Sequence, residues 1–75
     1  MAFDKKESKA RELYKQSYID MLECLHYHHN RESCDLAAHD WCQMRDVMKQ
    51  VFGYTDERLD FNETRWWHEW KKNTL

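Results

Sequence analysis

The chain of 75 residues has almost nothing that interrupts a helix: it contains no proline, and Gly53 is its only glycine. A β-sheet needs tight turns, and those turns depend on glycine, proline or Asn-Gly pairs. Many of the other residues are Lys, Glu, Leu, Met and Gln, which are favourable in helices. The sequence therefore predicts an all-α fold, and its length predicts a single domain, residues 1–75.

Two helical runs form the predicted core, an antiparallel helical hairpin over residues 13–52. Apolar residues recur in both runs at intervals of three and four; they are Tyr14, Tyr18, Met21, Leu22 and Leu25, then Leu36, Ala37, Trp41, Met44, Val47, Met48, Val51 and Phe52. The predicted break between the runs falls at residues 28–30, and Ser33 is the predicted N-cap of the second helix. Gly53 suits a left-handed C-terminal cap, which places the end of that helix at Phe52.

Segments of different character flank the hairpin. The run from Lys5 to Lys15 is dense in charged helix formers and is predicted to be a solvated helical extension that Asp4 caps. Residues 54–75 are predicted to be an interaction segment. In it, a connector with room for a single helical turn from Thr55 leads to Phe61, and Asn62 caps a short Trp-rich helix.

Charge and hydropathy exclude two classes of partner. The formal net charge is −2, and both signs occur throughout the chain, so no basic stripe suited to nucleic acid is present. No stretch approaches the 18 or so uninterrupted apolar residues that a membrane-spanning helix needs. The first residues also lack the apolar centre of a secretory signal. We expect no nucleic-acid binding and no transmembrane segment, and import into an organelle would use an internal signal.

The cysteines are the most suggestive chemical feature. Cys24 and Cys34 are separated by nine residues and lie on either side of the predicted helix break. Across a tight antiparallel turn the two thiols would be close enough to form a disulfide, worth roughly 2 to 3 kcal/mol in a loop of this length. Two reduced, packed cysteines are the alternative, and spacing alone leaves both open. Cys42 lies about 80° further round the second helix than Cys34 and is predicted to be a free, packed thiol.

Metal binding and catalysis have little support. Cys24, His28, Cys34 and His39 make a nominal Cys2His2 set, but their spacing is unlike that of most structural zinc sites. Neighbouring helical residues such as those from His39 to Cys42 point in different directions, so they do not form a nucleophile and base pair. We expect no metal, no cofactor and no enzymatic activity.

Aromatic residues are concentrated near the end of the chain. Trp66, Trp67 and Trp70 fall on about one turn of the predicted third helix, and Phe61 lies upstream. Tryptophan is strongly enriched at interface hot spots, so these four residues are predicted to bind a partner. They could instead cover the hairpin, or lie at a membrane surface with Lys71 and Lys72 among the lipid headgroups.

The cysteine pair, the helix break and the run CDLAAHDW from Cys34 to Trp41 resemble the coiled-coil-helix-coiled-coil-helix (CHCH) proteins of the mitochondrial intermembrane space. The resemblance covers residues 14–48, and it is strongest to CHCH-type subunits of the distal membrane arm of respiratory complex I. It implies a disulfide between Cys24 and Cys34. In the family an outer bridge lies ten residues away on each side, where this chain has Tyr14 and Met44, so an apolar contact is expected there.

The resemblance also implies a function. The chain would be a non-catalytic accessory subunit of a respiratory-chain complex, most simply NADH:ubiquinone oxidoreductase (complex I). It would lie peripherally on the intermembrane-space side of the mitochondrial inner membrane and contact other subunits of that large assembly. The alternatives are a soluble CHCH-type copper or redox assembly factor for cytochrome c oxidase, which would use Cys42 with a neighbouring cysteine, and a zinc-stabilised helical binding module.

Overall fold

The computed structural model describes the backbone of residues 2–27 and 31–74 and the side chains of residues 5–27 and 34–74. Three helices account for most of these residues: α1 (Ala2–Tyr27), α2 (Arg31–Gln50) and α3 (Asp56–Thr74). The described residues contain no strand, and the prediction of an all-α fold is confirmed. None of the helices, over the residues searched, has the length and apolar content needed to cross a membrane.

Helices α1 and α2 pack against each other in opposite directions. The sulfur atoms of Cys24 and Cys34 lie 2.9 Å apart near one end of the pair. Further along, the rings of Tyr18 and Trp41 have their centroids 5.8 Å apart. Residue numbers thus fall along α1 as they rise along α2, which makes the two helices antiparallel.

The predicted start of the second helix was wrong by three residues, because a cap at Ser33 makes Cys34 the first helical residue. Helix α2 begins at Arg31, so Ser33 lies inside the helix and is not its N-cap. The predicted break at residues 28–30 lies outside the described residues. The charged extension is the N-terminal part of α1, which is one continuous helix of 26 residues.

Helix α2 ends at Gln50, two residues before the predicted end at Phe52, and Gly53 follows it in the left-handed conformation that the sequence predicts. Its φ angle is +72°, in the left-handed region that glycine adopts most readily. The N–H groups of Gly53 and Tyr54 donate to the carbonyl oxygens of Lys49 and Met48, at 3.2 and 3.0 Å. These bonds use carbonyl groups that would otherwise be left without partners at the helix end.

Replacing Gly53 with alanine should lower the free energy of unfolding by about 1 kcal/mol, because an L-residue is strained at this φ angle. A Cβ atom placed there meets no atom within 4 Å, so the whole cost comes from the backbone. Urea unfolding followed by circular dichroism measures the change. Gly53→Asn is the matched control, since asparagine tolerates the left-handed conformation and should cost less than alanine. Equal stability of Gly53→Ala and the parent would contradict this account.

Helix α3 is longer than predicted. It begins at Asp56, where the Thr55 Oγ1 atom accepts a hydrogen bond from the Arg58 N–H at 3.2 Å, so Thr55 is the N-cap. Asn62, predicted to cap the helix, is instead buried in its middle. The residues before Asn62 belong to the helix because Leu59 begins its buried face, which continues through Asn62, Glu63 and Trp66.

The core lies where the three helices meet. Tyr14, Met48 and Leu59 come from α1, α2 and α3 respectively, and all three are fully buried. The other members of the buried apolar cluster are Tyr18, Met21, Tyr54 and Trp66. Aromatic rings rather than aliphatic side chains thus supply much of the core, which suits a short chain because each ring buries a large apolar area.

The connector after α2 is held against the start of α1. Tyr54 is buried, and its hydroxyl donates a 2.6 Å hydrogen bond to the Glu7 carboxylate. The Arg58 guanidinium lies over the Tyr54 ring, 3.8 Å from its centroid. The charged extension is therefore part of the packed structure through Glu7, although most of its side chains are exposed.

Candidate functional site

The paired thiols lie at the end of the α1–α2 contact nearest the connection between these helices. Cys34 is buried in the first turns of α2, and Cys24 is half-buried near the end of α1. The Cys34 thiol donates to the Cys24 sulfur at 2.9 Å. This hydrogen bond, with burial, raises the pKa of the Cys34 thiol to about 11. A thiol with so high a pKa is protonated at neutral pH and is a weak nucleophile, so the pair is suited to a structural role.

Both cysteines are thiols in the structure. The disulfide between them stays a prediction. The structure shows that their two sulfur atoms are neighbours.

Cys42 differs from its prediction. It is exposed on α2, whereas a packed thiol was expected. The reason is the direction of the helix face: Trp41 contacts α1, and Cys42, one residue further, points away from it. Cys42 is therefore accessible to solvent, whereas Cys34 is buried.

The residues proposed for zinc do not meet in the part of the chain that is described. His28 lies outside the described residues, and His39 is exposed and contacts Gln43 at 3.1 Å. Among the described side chains, no group of three or more His, Cys, Asp or Glu residues is arranged to hold a metal ion.

A buried carboxylate joins the three helices, and sequence reasoning missed it. Glu63 accepts hydrogen bonds from the Tyr14 hydroxyl, from the Trp41 indole N–H at 3.2 Å and from the Arg45 guanidinium at 3.3 Å. Burial raises the pKa of Glu63, although the hydrogen bonds from Tyr14 and Trp41 and the charge of Arg45 act in the opposite direction. The pKa of Tyr14 is also raised, first by burial and then by its hydrogen bond to Glu63.

Arg45 extends this cluster to the surface. Its guanidinium lies 3.3 Å from carboxylate oxygens of Asp56, Asp60 and Glu63, and 5.6 Å from the Trp41 ring centroid. Burial lowers the pKa of Arg45, but the surrounding carboxylates outweigh it and the net shift is upward. The cluster thereby ties α2 to the first two turns of α3.

Lys49 adds a second cation beside Asp56. Its ammonium group lies 3.1 Å from an Asp56 carboxylate oxygen, and this contact holds the pKa of Asp56 below its usual value. The Asp56 side chain is largely exposed, so the pair contributes little to stability by itself.

The four aromatic residues predicted to bind a partner lie in three different environments. The prediction for Trp66 needs correction: only 4% of this residue is exposed, and its ring packs edge-on against Tyr14 with centroids 5.1 Å apart. Trp67 and Trp70 are half-buried. Phe61 is 67% exposed and is the most accessible of the four.

The half-buried tryptophans have contacts of their own. The Lys71 ammonium lies 4.7 Å from the Trp67 ring centroid, and the Trp70 ring meets the His26 ring edge-on at 5.5 Å. Part of each indole therefore covers the chain's own surface. The exposed edges of these rings, together with Phe61, remain for an interaction with another molecule.

No family model matches this chain, and neither a curated protein nor a solved structure matches it.

Proposed function

We propose that the chain is a non-catalytic accessory subunit of a mitochondrial respiratory-chain membrane complex, specifically NADH:ubiquinone oxidoreductase (complex I). In this proposal it lies peripherally on the intermembrane-space side of the inner membrane and stabilises the assembly by contacting neighbouring subunits. The observation that carries the proposal is the 2.9 Å separation of the Cys24 and Cys34 sulfur atoms across two antiparallel helices. This is the arrangement that the inner bridge of a CHCH protein requires.

The positions of the missing outer bridge add support. Tyr14 is fully buried, and Met44 packs against the same apolar cluster. Packing can therefore hold together the end of the α1–α2 pair at which relatives would have a second disulfide. A chain this short has a thin stability margin, so one bridge and a partner would both matter.

We propose a non-catalytic role because the buried ionisable groups form hydrogen bonds within the chain. The Glu63 carboxylate is engaged by three internal donors, and the Cys34 thiol has a raised pKa. Groups committed to internal hydrogen bonds in this way serve the fold. Contact with other subunits would use the exposed Phe61 and the accessible edges of Trp67 and Trp70.

Counting thiols tests the bridge. Protein isolated from mitochondria under denaturing, non-reducing conditions should carry one cysteine that reacts with an alkylating reagent, Cys42. The matched variants sharpen the count, because Cys42→Ser should carry none and Cys24→Ser should carry two. Three reactive cysteines in the parent protein would contradict the bridge.

Reduction should lower the free energy of unfolding by about 2 to 3 kcal/mol if the bridge forms, since it releases the loop between Cys24 and Cys34 in the unfolded chain. Urea unfolding of the oxidised and reduced protein measures this difference. Cys42→Ser should show the same loss, whereas Cys24→Ser should show none.

Membership of the complex has a separate test. After extraction of mitochondrial membranes with a mild detergent, the protein should migrate in native electrophoresis with complex I. Migration as a small free protein, or with another complex, would contradict the assignment. If the contact lies on α3, a smaller fraction of a Phe61→Ala/Trp67→Ala variant should migrate with complex I. The control is Leu36→Ala, which changes an exposed residue of α2 and should leave that fraction unchanged.

A further inference from the structure

An apolar groove lies between the first half of α1 and the second half of α2, away from the cysteine pair and from α3's aromatic residues. Its volume is about 490 Å³, and Ala10, Leu13, Met44 and Val47 form its apolar lining. Leu13 is 53% exposed and Val47 is 37% exposed. Two large apolar side chains on adjoining helices are thus accessible in one concave surface, into which apolar residues of a partner could insert.

Three lysines border this groove. Lys5, Lys6 and Lys9 come from the first turns of α1, and all three side chains are exposed. None of them forms an ion pair with another described residue. Their charges are available to a ligand, and their alkyl stems extend the apolar lining.

We propose that this groove binds an acidic amphipathic helix of a partner protein. A helix laid along a groove between two helices inserts apolar residues spaced by three and four into the lining. Carboxylates on the flank of that helix would meet Lys5, Lys6 and Lys9. The apolar lining would supply most of the affinity, and the lysines would select the charge and orientation of the partner.

The surroundings of the groove favour a protein over an anionic membrane. The apolar residues line a concave surface between two helices, whereas helices that bind membranes present an apolar face along one helix. Asp46 is exposed and adjoins Val47 in sequence, and the chain as a whole has a formal net charge of −2. Both features would oppose an extended surface of lipid phosphates more strongly than a single helix whose acidic residues lie on one flank.

The inference rests on the proposed function only in requiring that the chain acts by binding a protein. It does not depend on the disulfide, on complex I or on the location of the chain.

Binding of designed peptides to the full chain tests the inference. The probe is a fluorescent helical peptide of roughly 18 residues, long enough to form a helix, with leucines on one face and glutamates on the other. A matched peptide has lysine in place of each glutamate. By fluorescence anisotropy at low salt, the acidic peptide should bind at least about tenfold more tightly than the basic one, and added salt should narrow the difference.

Two sets of variants locate the contact. Leu13→Gln/Val47→Gln should weaken binding of the acidic peptide about tenfold, whereas the exposed Leu36→Gln should leave it unchanged. Lys5→Glu/Lys6→Glu/Lys9→Glu should reverse the preference towards the basic peptide. Lys71→Glu/Lys72→Glu, which alters two lysines on α3, should leave the preference as it was. Far-ultraviolet circular dichroism establishes that each variant keeps its helical content.

Several outcomes would overturn the inference. They are equal binding of the two peptides, failure of the acidic peptide to bind, and an affinity that the groove variants do not change. Tighter binding to vesicles of anionic phospholipid than to the acidic peptide would assign the groove to a membrane instead. If the peptide fails while the protein still migrates with complex I, the groove proposal alone is lost; binding without that migration would remove only the complex I assignment.

Discussion

Trp66→Ala should lower the free energy of unfolding by about 4 kcal/mol, the largest loss expected from a single substitution in this chain. The Trp66 indole is almost fully buried, with its ring centroid 5.1 Å from that of Tyr14 and 6.3 Å from that of Tyr18. Removing it leaves a cavity between α1 and α3 and ends two aromatic contacts. Urea unfolding followed by circular dichroism gives the free-energy difference directly.

Phe61→Ala is the matched control for this prediction, because it also removes an aromatic ring from α3. Phe61 is 67% exposed, so its loss should change the free energy of unfolding by no more than about 0.5 kcal/mol. The two residues were grouped by sequence as partner-binding anchors, and the experiment separates them. A loss below about 1 kcal/mol for Trp66→Ala would show that its ring is not a core element.

The helical architecture could be predicted because it depends on local signals. The absence of proline and the single glycine exclude most alternatives to helix, and Gly53 has the left-handed conformation expected of a C-terminal cap. The spacing of Tyr14, Tyr18 and Met21 predicted a face that is indeed buried. Each of these features depends only on residues that are close together in the sequence, so it can be recognised without the structure.

The start of α3 was missed because its buried face is partly polar. Leu59, Asn62, Glu63 and Trp66 have helical spacing, but an amide and a carboxylate interrupt the apolar pattern. Asn62 therefore resembled a cap. The correct cap, Thr55, is followed by Asp56 and Glu57 in the first turn, which was the local signal available.

The candidate site was predictable in part for the same reason. The proximity of Cys24 and Cys34 follows from an antiparallel pair of helices, and the structure places their sulfur atoms together. The Glu63 cluster instead depends on pairings over long distances in sequence: its carboxylate meets Tyr14, 49 residues away, and Trp41, 22 residues away. Only the packing of α3 against the other helices brings these groups together.

Glu63→Ala should lower the free energy of unfolding at pH 7 by about 3 kcal/mol, the second large effect. The substitution removes the acceptor of the Tyr14 hydroxyl and of the Trp41 indole N–H, and unsatisfied buried donors of this kind cost about 1 to 3 kcal/mol each. Tyr14 would keep only a long contact, 3.4 Å, to the Leu59 carbonyl oxygen. Glu63→Gln, which retains a carbonyl oxygen for both donors, should cost clearly less in the same urea titration.

The pH dependence of stability provides an independent test of the same carboxyl group. Burial raises the pKa of Glu63 above its ordinary value of 4.5, so the native protein retains this proton at pH values where the unfolded chain has lost it. Its contribution is therefore complete below about pH 4.5 and declines as the pH rises through the native pKa. Relative to Glu63→Gln, the parent should lose stability from pH 4.5 towards pH 7, because the other titrating groups are common to both proteins.

Asp56 provides the opposite case in a different pH range. Its pKa is lowered from 3.8 by Lys49, so its contribution is present above that value and is lost as the pH falls through the native pKa. Asp56→Asn should therefore change the profile only below about pH 4, whereas Glu63→Gln changes it above pH 4.5. A parent protein that gains stability relative to Glu63→Gln between pH 4.5 and pH 7 would show that Arg45 and the hydrogen-bond donors, rather than burial, dominate the ionisation of Glu63.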